Sequence, residues 1–269
     1  LFKSEKINKS DNTTELIVSR SEDPFFLYIN LQATHYPYEY PENNSIFVPD
    51  NPSGRTSYFN IGRGDYNKSV NDYDNSIYYV DKQVGRLLDY LESEGFLNDS
   101  IVVVTSDHGE ILERRHKNLR HGFGVYDEEV NSPLIIYIPG QEHKIIDERV
   151  RHLDVIPTLL DITGFNQSDY FQGKPMVSGR NIFLMAQNQN FKLGLIKDDV
   201  KYVLDGFNYV PEAYNLTEDP FELNNLVNSP KSQALYHEEY GKILYSWYRC
   251  QVNYYDKEKW KKGERILCP

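Results

Sequence analysis

Three short, unbroken apolar runs constrain this chain more than any other feature. "PFFLYINLQA" at 24–33, the "IVVV" of "SIVVVTSDHGE" at 101–104 and "PLIIYIPG" at 133–140 lack the alternation of a half-solvated strand. Such a run suits a strand covered on both faces, and strands of that kind belong to parallel sheets with helices on either side. Ahead of the second run, Ile77, Val80, Val84, Leu87, Leu88 and Leu91 recur every three or four residues, and Gly95 follows as a stop. That spacing predicts a helix over 74–94. Helix, short turn and apolar strand form the repeating unit of α/β architecture. "HLDVIPTLLDITG", 152–164, reads as a further short helix with Pro157 in its first turns and Gly164 at its end.

Past residue 165 the texture changes. "KLGLIKDDVKYVLDG", 192–206, reads as an antiparallel hairpin, "YNLTEDPFELNNLV" as turns, and 231–248 as a Tyr-rich helix. The expected fold is therefore α/β, a mostly parallel sheet flanked by helices over 1–165, followed by a small α+β subdomain over 166–269. Residues 1–22 are polar and read as a surface loop or frayed terminus. Residues 36–66 are rich in Pro, Asn, Gly and Tyr without a period, so they read as a long loop of the kind that carries function or disorder.

A net charge of −11 with no basic stripe argues against a nucleic-acid partner. No apolar run approaches the roughly 20 residues of a transmembrane helix. Seven sequons, at Asn8, Asn12, Asn43, Asn67, Asn98, Asn166 and Asn215, exceed what chance provides and point to an exported glycoprotein: lysosomal, secreted or cell-surface. The two cysteines, Cys250 and Cys268, allow a single clip closing the C-terminal tail. Leu1 is not a natural start, so the chain is expected to be a piece of a longer protein.

In open α/β sheets, ligands bind beyond the carboxyl ends of the strands. Two runs end there in polar clusters: the first delivers His35, the second Asp107 and His108. Adjacent residues of an extended strand face opposite sides, but Gly109 lets the backbone curl and bring both to one point. An Asp oxygen and a neutral imidazole nitrogen are a ligand pair for a divalent cation. "ERRHKNLRHGFGVYDEEV" adds His116 and His121 among Arg114, Arg115, Lys117 and Arg120. A protonated imidazole there suits an anionic ester, neutralising its oxygens or protonating the leaving oxygen. Arg114, Arg115 and Lys117 read as solvated charges, and His143, His152 and His237 as structural or surface residues.

In order, "PFFLYINLQATHYPY", "YDNSIYYVDKQVGRLLDYLESEGFLNDSIVVVTSDHGE", "HGFGVYDEEVNSPLIIYIPG", "HLDVIPTLLDITG" and "AYNLTEDPFELNNL" resemble the C-terminal part of a sulfatase, in the alkaline phosphatase superfamily. The similarity spans about 23–228, with Asn215 where Asp is usual. It implies that Asp107 and His108 ligate the active-site cation, Ca²⁺ with Mn²⁺ or Zn²⁺ as alternatives. It implies that His35 and His121, and less firmly His116, contact the sulfate or its leaving group. The family's Cys/Ser-x-Pro-x-Arg motif, source of the formylglycine nucleophile, is absent here. Nucleophile and remaining metal carboxylates are thus expected in an N-terminal half that acts as partner, and this chain alone is expected to be inactive. The substrate would be a sulfated small molecule or glycan, with Tyr36, Tyr38, Tyr40, Tyr58 and Tyr66 suiting sugar stacking or plain packing. The alternatives are a phosphodiesterase or phosphoglycerol transferase of the same superfamily, and a non-catalytic sulfatase-like binding ectodomain.

Overall fold

The structure is a computed structural model that describes residues 24–52, 66–112, 121–168, 170–176, 179–187, 191–206, 208–254, 256, 262 and 268. Its longest element is helix α1, Tyr66–Ser93. It begins well before the apolar periodicity, through the polar stretch "NKSVND", because tertiary hydrogen bonds replace the missing apolar face. Asn75 Oδ1 accepts from the backbone of Ile46 and Phe47, each at 2.9 Å, and Asp72 accepts from Tyr40 Oη at 3.0 Å. Asp72 and Asn75 are buried under the 40–51 loop they hold. The helix ends at Gly95, whose φ of 75° only glycine adopts without strain.

Strands β1, Val102–Thr105, and β2, Leu134–Tyr137, form a two-stranded sheet. They run antiparallel, with Val102 opposite Tyr137 and Thr105 opposite Leu134. This corrects the expectation of a mostly parallel sheet: no parallel pair occurs among the described residues. The link from β1 to β2, residues 106–133, is long enough for either direction, so the antiparallel choice lies in the pairing itself. The described part of the link between β1 and β2 holds only the four-residue helix α2, Asp127–Val130. The first apolar run is corrected as well: 24–32 forms no strand and is exposed, with Phe26 at 64% and Tyr28 at 76%. Nor is β2 covered on both sides, since Ile135 and Tyr137 face outward while Leu134 and Ile136 are half-buried. Helix α3, Val155–Ile162, follows a 3₁₀ turn at His152–Asp154.

The expected hairpin is the centre of a larger meander. Strands β3, Ile182–Gln187, β4, Phe191–Lys197, β5, Val200–Asp205, and β6, Pro211–Asn215, pair in chain order, all antiparallel. Asp198 and Asp199 join β4 to β5 with φ of 50° and 59°, the doubly left-handed backbone of a type I′ turn. Side chains alternate across the sheet. Leu193, Leu195, Tyr202 and Ala213 pack on Tyr240, Leu244 and Trp247, in the layer of helices α4, Pro230–Tyr236, and α5, Lys242–Tyr254. A π turn at His237–Gly241 joins those helices. Ile182, Ile196 and Tyr214 pack on the opposite face against Tyr126, just ahead of α2. Cys250 of α5 is disulfide-bonded to Cys268. Among the described residues, no helix is long and apolar enough to cross a membrane.

Candidate active site

The end of β1 is fixed from two sides. His152 Nε2 hydrogen-bonds the Ser106 carbonyl at 2.9 Å, and Gly109 N–H donates to the Glu129 carbonyl at 2.8 Å. A Cβ on Gly109 would lie 2.2 Å from the Glu128 carbonyl oxygen, so only glycine lets the strand end approach α2. Between these pins Asp107 and His108 converge, with Asp107 Oδ2 and His108 Nε2 3.7 Å apart. His108 Nδ1 lies 2.8 Å from the Gly109 carbonyl. A carbonyl only accepts, so Nδ1 carries the proton and the Nε2 lone pair faces the same space as the Asp107 carboxylate.

His121 lies against this pair, its ring centroid 3.8 Å from that of His108, and His35 lies 5.8 Å from His121. Three imidazoles from three separate segments thus share one place, although 24–32 forms no strand. His121 Nδ1 is 3.3 Å from Glu110 Oε2, which again leaves Nε2 for a ligand. The Glu110 side chain is only 4% exposed. Burial pushes its carboxyl above the ordinary value, against the opposing pull of His121, His108 and the Tyr38 hydroxyl. Tyr38 itself adopts a φ of 63°, an uncommon conformation for an aromatic residue, and is 3% exposed.

The backbone behind His121 hangs on Glu129. Its Oε1 accepts from the N–H groups of Phe123 and Gly124 at 3.0 and 3.2 Å. Burial raises the Glu129 carboxyl, and those N–H groups with that of Gly122 partly offset it. The C-terminal sheet in turn holds α2. Lys201 on β5, fully buried, contacts Glu222 at 2.7 Å and Asp127 at 3.2 Å, and Asp127 N–H donates to Glu222 at 2.7 Å. Beside it, Glu212 accepts from Tyr126 and Tyr214, each at 2.7 Å, and pairs with Lys192 at 3.2 Å. Burial would raise Glu212, but those partners outweigh it and hold its carboxyl below the ordinary value.

His116 lies outside the described residues, as do Asn8, Asn12, Tyr58 and the Tyr66 side chain. Tyr38 and Tyr40 are buried, and Tyr38 packs edge-on against Tyr73 at 5.3 Å, so for these two the packing alternative holds. Asn43, Asn67, Asn98 and Asn166 are exposed, and Asn215 is half-buried, its side-chain oxygen accepting from the backbone of Thr217 and Glu218. Glu110, Glu129 and the Lys201–Glu222 pair escaped the sequence reading. The signals were there: Glu110 adjoins the Asp-His pair, Glu129 closes "YDEE", and Glu222 lies in the "EDPFEL" block.

Among the described residues no group of three or more His, Cys, Asp or Glu side chains is arranged to hold a metal. Asp107 and His108 nevertheless fit a cation as two of its ligands. Their free donors lie 3.7 Å apart, close enough to share one ion, and Asp107 is 89% exposed, open to further ligands.

A model of the sulfatase family matches residues 9–165. Among curated relatives, the uncharacterized sulfatase YidJ of Escherichia coli is 26% identical over 242 residues, covering 78% of this chain and 48% of the relative. An arylsulfatase of Clostridium perfringens is 27% identical over 243 residues, covering 77% and 50% respectively. The chain thus spans about half the length of these relatives. Among solved structures, one of a protein in complex with its substrate D-glucosamine-2-N,6-O-disulfate superposes with a TM-score of 0.56 at 24% identity. That match covers 74% of this chain and 42% of the other, and speaks for the fold alone.

Proposed function

The chain belongs to the sulfatase family, and on that premise we propose that it supplies part of the active site of an enzyme that hydrolyses a sulfate ester. Residues 1–165 would be the C-terminal portion of the catalytic domain and 166–269 its subdomain. The observation that carries the reading is the convergence of His35, His108 and His121 beside Asp107, with the buried Glu110 behind them.

In this reading Asp107 and His108 hold one divalent cation, Ca²⁺ or, as the imidazole donor also suits, Mn²⁺ or Zn²⁺. When bound, the cation supplies Lewis-acid stabilisation of a sulfate oxygen and of the nucleophile. The formylglycine nucleophile and the remaining ligands belong to an N-terminal half. His121 supplies the charge complement. Protonated, it gives Nδ1–H to Glu110 and points Nε2–H at the ester, where it neutralises an oxygen or protonates the leaving group. Glu110 orients the ring and stabilises the imidazolium, as a buried carboxylate does behind a general-acid histidine. His35 adds a second donor on the same side. His116 would extend the set. A sulfated sugar of a glycan is the substrate class we favour. The exposed sequons support passage through the secretory pathway, towards the lysosome, cell surface or exterior, and a structural neighbour takes a sulfated glucosamine.

The test uses the full-length protein, 4-nitrocatechol sulfate, bis-(4-nitrophenyl) phosphate and elemental analysis of bound metal. We expect turnover of the sulfate ester, lost on metal stripping and reduced at least about 10³-fold by His108→Ala. Preference for the phosphodiester would replace this reading with phosphoryl transfer. No turnover of either ester, with no bound metal, would make the protein a binding ectodomain.

A further inference from the structure

A second candidate site shares no lining residue with the histidine cluster. A cleft of ≈ 490 Å³ opens between the 151–181 segment and α5, within the range of roughly 300–1,000 Å³ typical of small-ligand sites. Its walls carry Arg151, Lys174, Arg180 and Lys242 and no acidic residue. The chain as a whole has 40 acidic and 29 basic residues, so the lining of this cleft is opposite in sign to the net charge of the chain. The cations come from separate segments, and their placement is structured. Asp154, buried behind the cleft, holds Arg151 at 3.0 Å and Arg180 at 3.5 Å. Arg180 also donates to the Pro175 carbonyl at 3.0 Å. Burial would raise Asp154, but the two arginines and the Lys174 N–H outweigh it and hold its carboxyl below the ordinary value. Lys174 is exposed, and Lys242 is 62% exposed and pairs with Glu238 at the rim.

The floor is apolar. Phe183 stacks flat on Trp247, with ring centroids 4.8 Å apart and planes 3° from parallel, and Ile243 lies alongside. Gln172, Asn181 and Ser246 add neutral hydrogen-bonding groups to the wall. Cations for anionic groups, amides and a hydroxyl for hydroxyls, and apolar side chains at the floor for the C–H groups of a ring together describe an acidic saccharide. An acidic peptide would use the cations but leave the neutral set without a distinct role.

We infer that this cleft is a second anion site, holding a sulfated or carboxylated sugar unit of a glycan chain apart from the ester at the histidine cluster. The inference rests on the sulfatase reading for its substrate class, but its test does not need turnover. Arg151 directly precedes His152, which anchors the strand end bearing Asp107. One short segment therefore serves both the cleft and the candidate metal pair.

The experiment measures binding of a fluorescent, size-defined heparin tetrasaccharide to the full-length protein by anisotropy, with and without Lys174→Glu/Lys242→Glu. Both lysines are exposed, so the variant should fold, which circular dichroism checks. We expect affinity to fall on the order of tenfold or more, with a shallower salt dependence, because two attractive charges become repulsive. Turnover of 4-nitrocatechol sulfate, which is too small to reach a second site, should stay within about twofold. Unchanged tetrasaccharide affinity in the variant overturns the inference. So does equal competition by a poly-glutamate peptide of matched charge, which would make the cleft a general acidic-peptide site. If the wild type binds the tetrasaccharide through these lysines yet hydrolyses no sulfate ester, the sulfatase reading fails and the cleft stands.

Discussion

Glu110 is buried two residues beyond His108, and its carboxyl is shifted above the ordinary value of 4.5 chiefly by that burial. The direction of the shift separates its two effects. A carboxylate with a raised folded-state value stabilises the fold most below 4.5, and that contribution is lost as pH rises through the folded value. At neutral pH the Glu110 charge therefore costs stability, and Glu110→Gln is expected to be neutral or stabilising by up to about 1 kcal/mol in urea denaturation. Its catalytic effect runs the other way. Without the negative charge behind His121, kcat for an aryl sulfate in the full-length enzyme should drop by about 10²-fold. The wild-type kcat should also fall on acidification at a pH above 4.5, as Glu110 gains its proton, and Glu110→Gln should lack that acid limb. Loss of both stability and activity would make the residue merely structural. The sequence drew attention to Asp107, His108, His35 and His121 through residue types suited to ligand and acid, and the structure brings these four together. Glu110 was not legible, because its role comes from burial and from the His121 Nδ1 that it meets.

At the scale of elements, the position of His121 is set by the short helix α2 and by the sheet that grips it. Lys201 and Glu222 are both buried and tie Asp127 at the start of α2, while Glu129 at its end holds the backbone of Phe123 and Gly124. Lys201→Met would strand a buried Glu222 and is expected to cost about 3–5 kcal/mol. Adding Glu222→Gln removes the stranded charge and keeps an oxygen for the Asp127 N–H. The double variant should recover most of the loss, as read from urea midpoints. If both variants denature alike, the pair is not coupled. Gly194→Ala tests the other side of the grip. A Cβ there would lie 3.1 Å from both Leu184 Cβ and Val125 Cγ2, so a loss of about 1–3 kcal/mol is expected. The one helix expected over 231–248 is two, α4 and α5, joined by a π turn, whereas helices α1 and α3 and the β4–β5 hairpin could be read from apolar period and turn residues, which act locally. Strand direction could not, because an apolar run is equally consistent with a parallel or an antiparallel neighbour. The choice here lies in the pairing of β1 with β2 itself.

For the whole molecule, the apolar runs at 24–31 and on β2 remain the strongest argument. They have the composition of strands covered on both faces, yet Phe26, Tyr28 and Ile135 are each more than half exposed. A two-stranded sheet is also too small to be stable unaided and presents open edges that can pair with other chains. The chain spans about half the length of the relatives it matches, and the proposed N-terminal half would supply both a cover for these runs and the nucleophile. Residues 1–269 produced alone should therefore self-associate in light scattering, exchange the amides of 24–31 rapidly, and turn over no aryl sulfate. Joined to the N-terminal half, the same segment should become protected by at least about 10²-fold in exchange, since strands added at its edge would close those N–H groups. A monodisperse, catalytically active 1–269 would sink the two-part reading. Slow exchange at 24–31 in the isolated chain would instead show that the segment finds its cover within these residues.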